Sequence, residues 1–271
     1  SSESRKLITT QESPTINNII GIDLGYSEVF VDNNGNHYGI EFGKHLQTKS
    51  DHLKQKNQKR NKLFQLAEKY INQNKLKKAR NIQRFNLGKI KYNKLISKQN
   101  ATSECIINQA INQLISKNPN KIIVTEKLDK LISKNLGKNW NRRLSSWIKG
   151  TIRERIEFKA LAKGFSHKQV NASYTSQTCP TCGFVDRKNR KQDKFGCLNC
   201  GHEGHSDQVA ATNIANRYLD PQITIHTPYR EVKQILLARF HRQLESVATF
   251  CGKTGTVTDR TLEPLATVVN Q

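Results

Sequence analysis

Two closely spaced cysteine pairs constrain the fold of this chain more than any other feature. The two pairs lie 14 residues apart and consist of Cys179, Cys182, Cys197 and Cys200. Zn²⁺ takes four ligands in a tetrahedron, and a C-x2-C turn aims two soft thiolates at one ion. Gly183 and Gly201 follow the pairs and supply the backbone freedom that such turns demand. We predict a structural zinc ribbon over residues 177–204, rather than two disulfides or a redox pair. His202 and His205 follow closely and could replace a ligand in principle, but four cysteines already close the site.

The charge of the chain is large and unevenly distributed. Its 271 residues include 45 Lys and Arg against 22 Asp and Glu, a formal net charge of +23. Such a surface attracts polyanions, which argues against an ordinary metabolic enzyme for small neutral substrates. Residues 44–98 hold 17 Lys and Arg against two acids, a local charge of +15. Leu63, Leu66 and Tyr70 recur there at helical spacing, so we predict long basic helices that contact nucleic acid. A merely solvated helix would carry acids as well.

Two absences bear on where the chain comes from. No stretch approaches the ~18 to 20 uninterrupted apolar residues of a transmembrane helix. The chain contains no methionine, so Ser1 is not an encoded start, and residues 1–17 have the polar composition of a tail or linker. We expect N-terminal sequence to be missing, or the chain to be cut from a larger protein. The metal-type cysteine spacing fits a reducing, intracellular compartment.

Strand and helix patterns place three acidic residues at element ends. Residues 19–24 form a β-favouring apolar run, residues 29–31 begin a second strand, and residues 37–42 are predicted as its returning partner. Residues 121–125 form another strand. Helices are predicted over residues 105–115, 140–163 and 207–218, with a short strand over 169–174. Asp23 ends the first strand, Glu126 ends the later one, and Asp207 opens the helix behind the cysteines.

Acids at three element ends suit metal-dependent phosphodiester hydrolysis. Two Mg²⁺ ions roughly 3.5 to 4 Å apart need shared carboxylates, and hard oxygen ligands suit Mg²⁺. Each acid also has an ordinary interpretation: Asp23 as a turn residue, Glu126 as a salt-bridge partner, and Asp207 as a helix N-cap. The pattern alone therefore leaves the role of each acid open.

Four segments, taken in order, resemble the split motifs of a RuvC-type nuclease. They are GIDLGYSEVFVDNNG, IIVTEKLD, YTSQTCPTCG with CLNCGH, and HSDQVAATNIANR. The chain is similar over residues 19–218 to the transposon-encoded TnpB nucleases and their relatives, the type V CRISPR effectors. The three acid motifs with a ribbon just before the third are specific, whereas GxDxG alone is not.

The resemblance implies a fold and an activity. The fold class would be α/β, an RNase H-like (RuvC) mixed sheet flanked by helices, with the zinc ribbon inserted. Asp23, Glu126 and Asp207 would be the catalytic acids, holding two Mg²⁺ or Mn²⁺ ions, and Zn²⁺ would be structural. Family members bind a guide RNA, pair it with target DNA, and cut DNA at the single RuvC site. The implied location is the prokaryotic cytoplasm, with the nucleoid as the place of action.

The resemblance also implies a domain layout. The nuclease core with the first two motifs would cover residues 18–176 and include a basic helical insertion over 44–116. The third-motif helix would cover 205–218. Residues 219–271 would form an amphipathic helix, through Val232, Leu236 and Phe240, and a tail. The family also has an N-terminal oligonucleotide-binding domain and a helical recognition domain, and nothing before Ile19 matches either. We therefore expect a catalytic half, with a recognition half as a possible partner.

Three other functions fit parts of the sequence. An RNA-guided DNA-binding protein without cleavage, a repressor or transposition-targeting module, would share the motifs, although inactivated relatives usually lose an acid. An actin-like or sugar-kinase-like ATPase also ends its first strand in Asp-x-Gly, but no later Gly-rich phosphate loop is present. A self-sufficient junction resolvase would lack the ribbon and the long basic insertion.

The basic helices predict salt-sensitive binding of nucleic acid. Lys and Arg side chains that contact phosphates release counterions, so affinity should fall by about 0.7 to 0.9 logarithmic units per phosphate contact for each tenfold rise in salt. Fluorescence anisotropy with a labelled oligonucleotide at several salt concentrations measures this slope. A flat response would show that residues 44–98 are not the contact face.

Overall fold

A computed structural model describes residues 15–127 and 149–251. Its main feature is a five-stranded mixed sheet with the order β3-β2-β1-β4-β5. The strands are β1 (Ile19–Asp23), β2 (Phe30–Asp32), β3 (His37–Tyr38), β4 (Ile122–Lys127) and β5 (His167–Asn171). β2 and β3 pair antiparallel in a hairpin, whereas β4 and β5 run parallel to β1. The predicted α/β class with a mixed sheet is confirmed.

Helices cover both faces of this sheet. They are α1 (Phe42–Asn72), α2 (Leu76–Asn81), α3 (Ile90–Lys117), α4 (Lys149–Lys163), α5 (Ser206–Tyr218) and α6 (Tyr229–Cys251). Ile20, Ile22 and Ile123 point to one face and pack with buried side chains of α3 and α4. Ile19 and Val124 point to the other face, where Ile214 and Ala215 of α5 cover them. This division follows from the two-residue side-chain period of a strand.

The basic insertion forms a long helical arm, which we define as residues 42–117. Its α1 has 31 residues and is therefore about 46 Å long. Large apolar side chains are buried mainly where the arm joins the core, at Phe42 and Leu46 in α1 and at Ile107 and Leu114 in α3. The predicted helices are confirmed. The apolar residues predicted at helical spacing are not all buried, because among the described residues no further layer covers the outer part of α1 and α3. Leu66 exposes 38% of its surface, and Phe85, farther along the arm, exposes 72%.

Three sequence expectations need correction at element ends. The returning strand stops at Tyr38 instead of residue 42, because Gly39 adopts φ +66° and the chain turns into α1. The strand predicted over 169–174 runs from His167 to Asn171, since Tyr174 has φ +64° and leaves the extended conformation. The helix predicted over 140–163 is described from Lys149, and residues 140–148 lie outside the described ranges.

The cysteine segment forms a second, three-stranded antiparallel sheet next to α6. Its strands are β6 (Arg190–Lys191), β7 (Lys194–Gly196) and β8 (Glu203–His205). The predicted amphipathic helix is confirmed: Val232, Leu236 and Phe240 are buried, and Phe240 packs on Phe184 with ring centroids 5.3 Å apart. Asp220 accepts two hydrogen bonds of 2.6 Å from Arg239, which fixes α6 to the end of α5. Among the described helices, none is long and apolar enough to cross a membrane.

The packing of α5 on β1 is close because Gly21 has no side chain. A Cβ at Gly21 would overlap the carbonyl oxygen of Ala211 and lie 2.6 Å from the Ala215 amide nitrogen. Both obstacles are helix backbone, which cannot move aside independently of α5. The residue type at position 21 therefore sets the distance between the sheet and this helix.

Gly21→Ala should destabilise the fold by about 1 to 3 kcal/mol, because overpacking forces α5 away from the sheet. Urea denaturation measures the change in the free energy of unfolding. Gly150→Ala is the matched control, because a Cβ at Gly150 meets nothing within 4 Å and helical alanine is favoured over glycine. Equal stabilities of the two variants would contradict the close-packing argument.

Candidate active site

Asp23 and Glu126 lie side by side at the same edge of the sheet. In the parallel pairing of β1 with β4, Ile22 lies opposite Thr125, so the next residues along the two strands are Asp23 and Glu126. Strand alternation directs both carboxylates to the face of Ile19 and Val124, the face that α5 covers. The two strands thus deliver the first two predicted acids to one place.

α5 brings the third acid to the same edge. Its C-terminal residues Ile214 and Tyr218 pack near Ile19 at the start of β1, so α5 runs antiparallel to the strand. Asp207 lies one turn before Ala211, the residue that contacts Gly21, and therefore lies toward the Asp23 end. The carboxylate also lies in the first turn, where the helix dipole favours negative charge. The antiparallel packing therefore carries Asp207 to the carboxylates of β1 and β4.

An arginine of the second sheet forms a salt bridge with the Asp207 carboxylate. Nη2 of Arg190, in β6, donates a hydrogen bond of 2.7 Å to Oδ1 of Asp207, and both side chains are mostly buried. The amide of Ser206 donates to the carbonyl of Asp193, which holds this hairpin against the start of α5. Sequence reasoning gave Arg190 no role beside the three acids. The two paired residues lie 17 positions apart in the sequence, so no local sequence pattern predicts their contact.

The segment that follows β5 positions the side chain of Glu126 through a hydrogen bond. The hydroxyl of Thr175, itself buried, donates to Oε1 of Glu126. Asn213 of α5 fixes this segment by donating bonds of 2.7 Å to the carbonyls of Thr175 and Thr178. Arg217, buried on the same helix, donates to the carbonyls of Asn171 and Ser173. Thr175 is a second site residue that sequence reasoning missed.

Burial lowers the pKa of Arg217, and the nearby carboxylates of Asp220 and Glu126 act in the opposite direction. The Glu126 carboxylate and the Arg217 guanidinium therefore attract each other, and Arg217 supplies positive charge near the three acids.

The three acids share an edge but do not form a compact cage. Among the described residues, the one group of three or more His, Cys, Asp or Glu ligand atoms within 4.8 Å of one another is the four-cysteine cluster. The donor set of Asp23, Glu126 and Asp207 is all oxygen, which suits Mg²⁺ or Mn²⁺. A metal ion bound at Asp207 would compete with Arg190 for the same carboxylate.

The four cysteines form the predicted cluster, and all of them are free thiols. Sγ of Cys179 lies 3.6 Å from that of Cys200, and Sγ of Cys182 lies 3.6 Å from that of Cys197. Bonds of about 2.3 Å to a tetrahedral Zn²⁺ give sulfur separations of about 3.8 Å, so the cluster fits such an ion. His202 and His205 are not part of the group.

The two glycines take the predicted role in the cysteine turns. Gly183 and Gly201 adopt φ +74° and +72°, a region that favours glycine. Their amides donate bonds of 3.0 Å to the carbonyls of Cys179 and Cys197. These bonds close the two turns that gather the thiols.

The protonation of the thiols makes metal binding dependent on pH. Burial raises the pKa of Cys179 to about 12 and also raises that of Cys197. Burial acts in the same direction at Cys182, but hydrogen bonds from the Phe184 amide, the Asn199 side chain and the Cys200 and Cys197 thiols together outweigh it and lower the pKa to about 7. Because a metal ion binds thiolates, it displaces protons, and its affinity falls as pH falls.

Comparisons with known proteins identify relatives of this chain. A family model described as the TNB domain of Cas12f1-like proteins matches residues 150–214. The CRISPR-associated endodeoxyribonuclease Cas12f1 of Sulfoacidibacillus thermotolerans is 37% identical over 81 residues, which are 30% of this chain and 19% of that protein. The TnpB-like protein MJ0012 of Methanocaldococcus jannaschii is 34% identical over 100 residues, 36% of this chain and 44% of that protein. The predicted resemblance to TnpB and type V CRISPR effectors is confirmed.

The fold also matches a solved structure of this group. The mini-RNA-guided endonuclease CRISPR-Cas_phi3 superposes with a TM-score of 0.54 at 18% identity, over 76% of this chain and 45% of that one. This match confirms the predicted fold class. The aligned parts span less than half the length of each of these relatives.

Cys197→Ser should remove the bound metal ion and lower the melting temperature by about 5 °C, because a structural metal contributes folding free energy. Plasma mass spectrometry should find one zinc per parent chain, and differential scanning fluorimetry gives the melting temperature. Cys105→Ser is the matched control, because Cys105 is exposed on α3 and outside the cluster. Unchanged zinc content in Cys197→Ser would contradict the assignment.

Proposed function

We propose that this chain is the catalytic half of an RNA-guided DNA endonuclease with one RuvC-type site. The observation that carries the proposal is the convergence of Asp23, Glu126 and Asp207 from two strand ends and one helix start at a single sheet edge. The curated relatives, named endodeoxyribonucleases or TnpB-like proteins, support the same chemistry. The substrate is DNA, and the bond cut is a phosphodiester.

Asp23, Glu126 and Asp207 would hold two Mg²⁺ or Mn²⁺ ions. When bound, such ions activate the attacking water and stabilise the leaving oxygen of the phosphodiester. Thr175 orients Glu126 through its hydroxyl, and Arg217 supplies fixed positive charge below it. Asn213 and Arg217 hold the Thr175 segment rigid, which keeps the Glu126 carboxylate in one place.

Arg190 is a positioning residue in this proposal. Its guanidinium neutralises Asp207 through the 2.7 Å hydrogen bond to that carboxylate. Because it lies beside the acids, the same guanidinium would also be placed to bind a phosphate oxygen of the substrate. The ribbon thus links the zinc cluster to the substrate, with Zn²⁺ as its structural ion.

In this proposal, the helical arm binds guide RNA and target DNA. Lys and Arg side chains bind phosphates and fix the position of the strands without reading sequence. Sequence would be read by pairing between the guide and the target strand. A recognition half, on the same or another chain, would complete target selection.

Asp23→Ala and Glu126→Gln should each reduce DNA cleavage by at least about 1,000-fold, because each removes an oxygen ligand of the metal site. Cleavage is measured in Mg²⁺ on the natural gene product with the RNA that copurifies. RNA binding should stay unchanged in both variants.

Glu154→Gln is the matched control, because Glu154 is exposed on α4, away from the acidic edge. Parent-like cleavage by Asp23→Ala would refute the assignment of the site. A parent protein that binds target but never nicks it in Mg²⁺ would instead identify a DNA-binding protein without cleavage.

A further inference from the structure

An open cavity of about 500 Å³ lies in the helical arm between α1 and the start of α3. We call this part of the arm, residues 84–92, the elbow. Its volume falls in the range of about 300 to 1,000 Å³ that is typical of ligand sites. Its lining includes no acidic residue. Six cationic residues line it: Lys56, Lys59, Arg60, Arg84, Lys89 and Lys91. The charge of the cavity therefore selects an anionic ligand.

One of the six cationic residues, Arg60, stabilises the elbow through hydrogen bonds to its backbone. Arg60 donates hydrogen bonds of 2.8 and 3.2 Å to the carbonyls of Leu87 and Gly88, and its guanidinium lies 4.9 Å from the ring centroid of Tyr92. The Tyr92 hydroxyl donates a 2.8 Å bond to Asn57, which ties α3 to α1. The cavity wall is thus held in shape by its own contacts.

The other five cations remain available to a ligand. Among the described residues, none of the five forms an ion pair with a carboxylate. They line a single concave surface. A phosphate group placed there would meet several donors at once.

The cavity also has an exposed aromatic ring. Phe85 exposes 72% of its surface, and the guanidinium of Arg84 lies 5.4 Å from its ring centroid. Phe85 belongs to a single π-helical turn, Ile82–Asn86, and such turns are frequent at functional sites. A ring beside free cations is the combination that binds single-stranded nucleic acid, since the base stacks and the phosphate is neutralised.

We propose that this cavity binds one unpaired nucleotide, with the base stacked on Phe85 and the phosphate held by Arg84 and Lys89. The proposal rests on the proposed function, which supplies both RNA and DNA strands. A duplex would not satisfy the site, because each of its bases is already stacked between neighbours. RNA and DNA share the chemistry that the site recognises, so the experiment tests both.

The test compares Phe85→Ala with the parent chain by fluorescence anisotropy. The probes are labelled single-stranded DNA and RNA of about 16 nucleotides and the corresponding duplex. Phe85→Ala should bind a single strand about tenfold more weakly, with unchanged duplex affinity. Its salt dependence should equal that of the parent, because no phosphate contact is lost. A loss for RNA alone, or for DNA alone, identifies the strand that occupies the cavity.

Phe64→Ala is the matched control, because Phe64 exposes 54% of its surface on the same arm and does not line the cavity. Its single-strand affinity should equal that of the parent. Circular dichroism melting should show that both variants fold. Parent-like single-strand binding by Phe85→Ala, equal losses in both variants, or no single-strand binding by the parent would each overturn the inference.

The readout is independent of cleavage. If Phe85→Ala binds normally while Asp23→Ala still abolishes cutting, the nucleotide site is wrong and the nuclease assignment stands. If Phe85→Ala weakens binding while Asp23→Ala cuts like the parent, the nuclease assignment is wrong and the nucleotide site stands.

Discussion

The contact between Gly21 and α5 holds the candidate site together. The absence of a Cβ lets the backbone of α5 rest directly on β1, and this fixes both the separation and the direction of the helix. Asp207 then lies at the edge where Asp23 ends β1 and Glu126 is the next-to-last residue of β4. Residues deeper along α5, Asn213 and Arg217, hold the segment that orients Glu126. One close packing contact therefore supports the acids and their supporting hydrogen bonds together.

The second sheet is tied to the site by charge and to α6 by apolar packing. Arg190 pairs with Asp207, and the amide of Ser206 bonds to the hairpin that carries Arg190. On the other side, Phe184 packs against Phe240 of α6. The cysteine cluster fixes the turns between these two contacts. A metal ion that orders the cysteines would thereby also order the guanidinium that faces the acidic edge.

The arm differs from the core in how its sequence relates to its structure. Helical periodicity identified its helices, but Leu66 and Phe85 are exposed in the part of the chain that the structure describes. An aromatic ring that is not buried in the core, such as that of Phe85, is exposed and can contact a ligand. The arm is therefore better understood as a charged, partly apolar surface carried on two helices than as a packed helical domain.

The sequence by itself determined the features that depend on local spacing. Two C-x2-C turns followed by glycine specify a thiolate cluster, and alternating or helical apolar patterns place Asp23, Glu126 and Asp207 at element ends. Tertiary structure alone decided which distant groups meet: the pairing of Arg190 with Asp207, the hydroxyl of Thr175 on Glu126, and the cavity at the elbow of the arm. The physical reason is the sequence separation of the residues that interact. Turn geometry and periodicity are set within a few residues, whereas ion pairs and cavities arise only after strands and helices have packed.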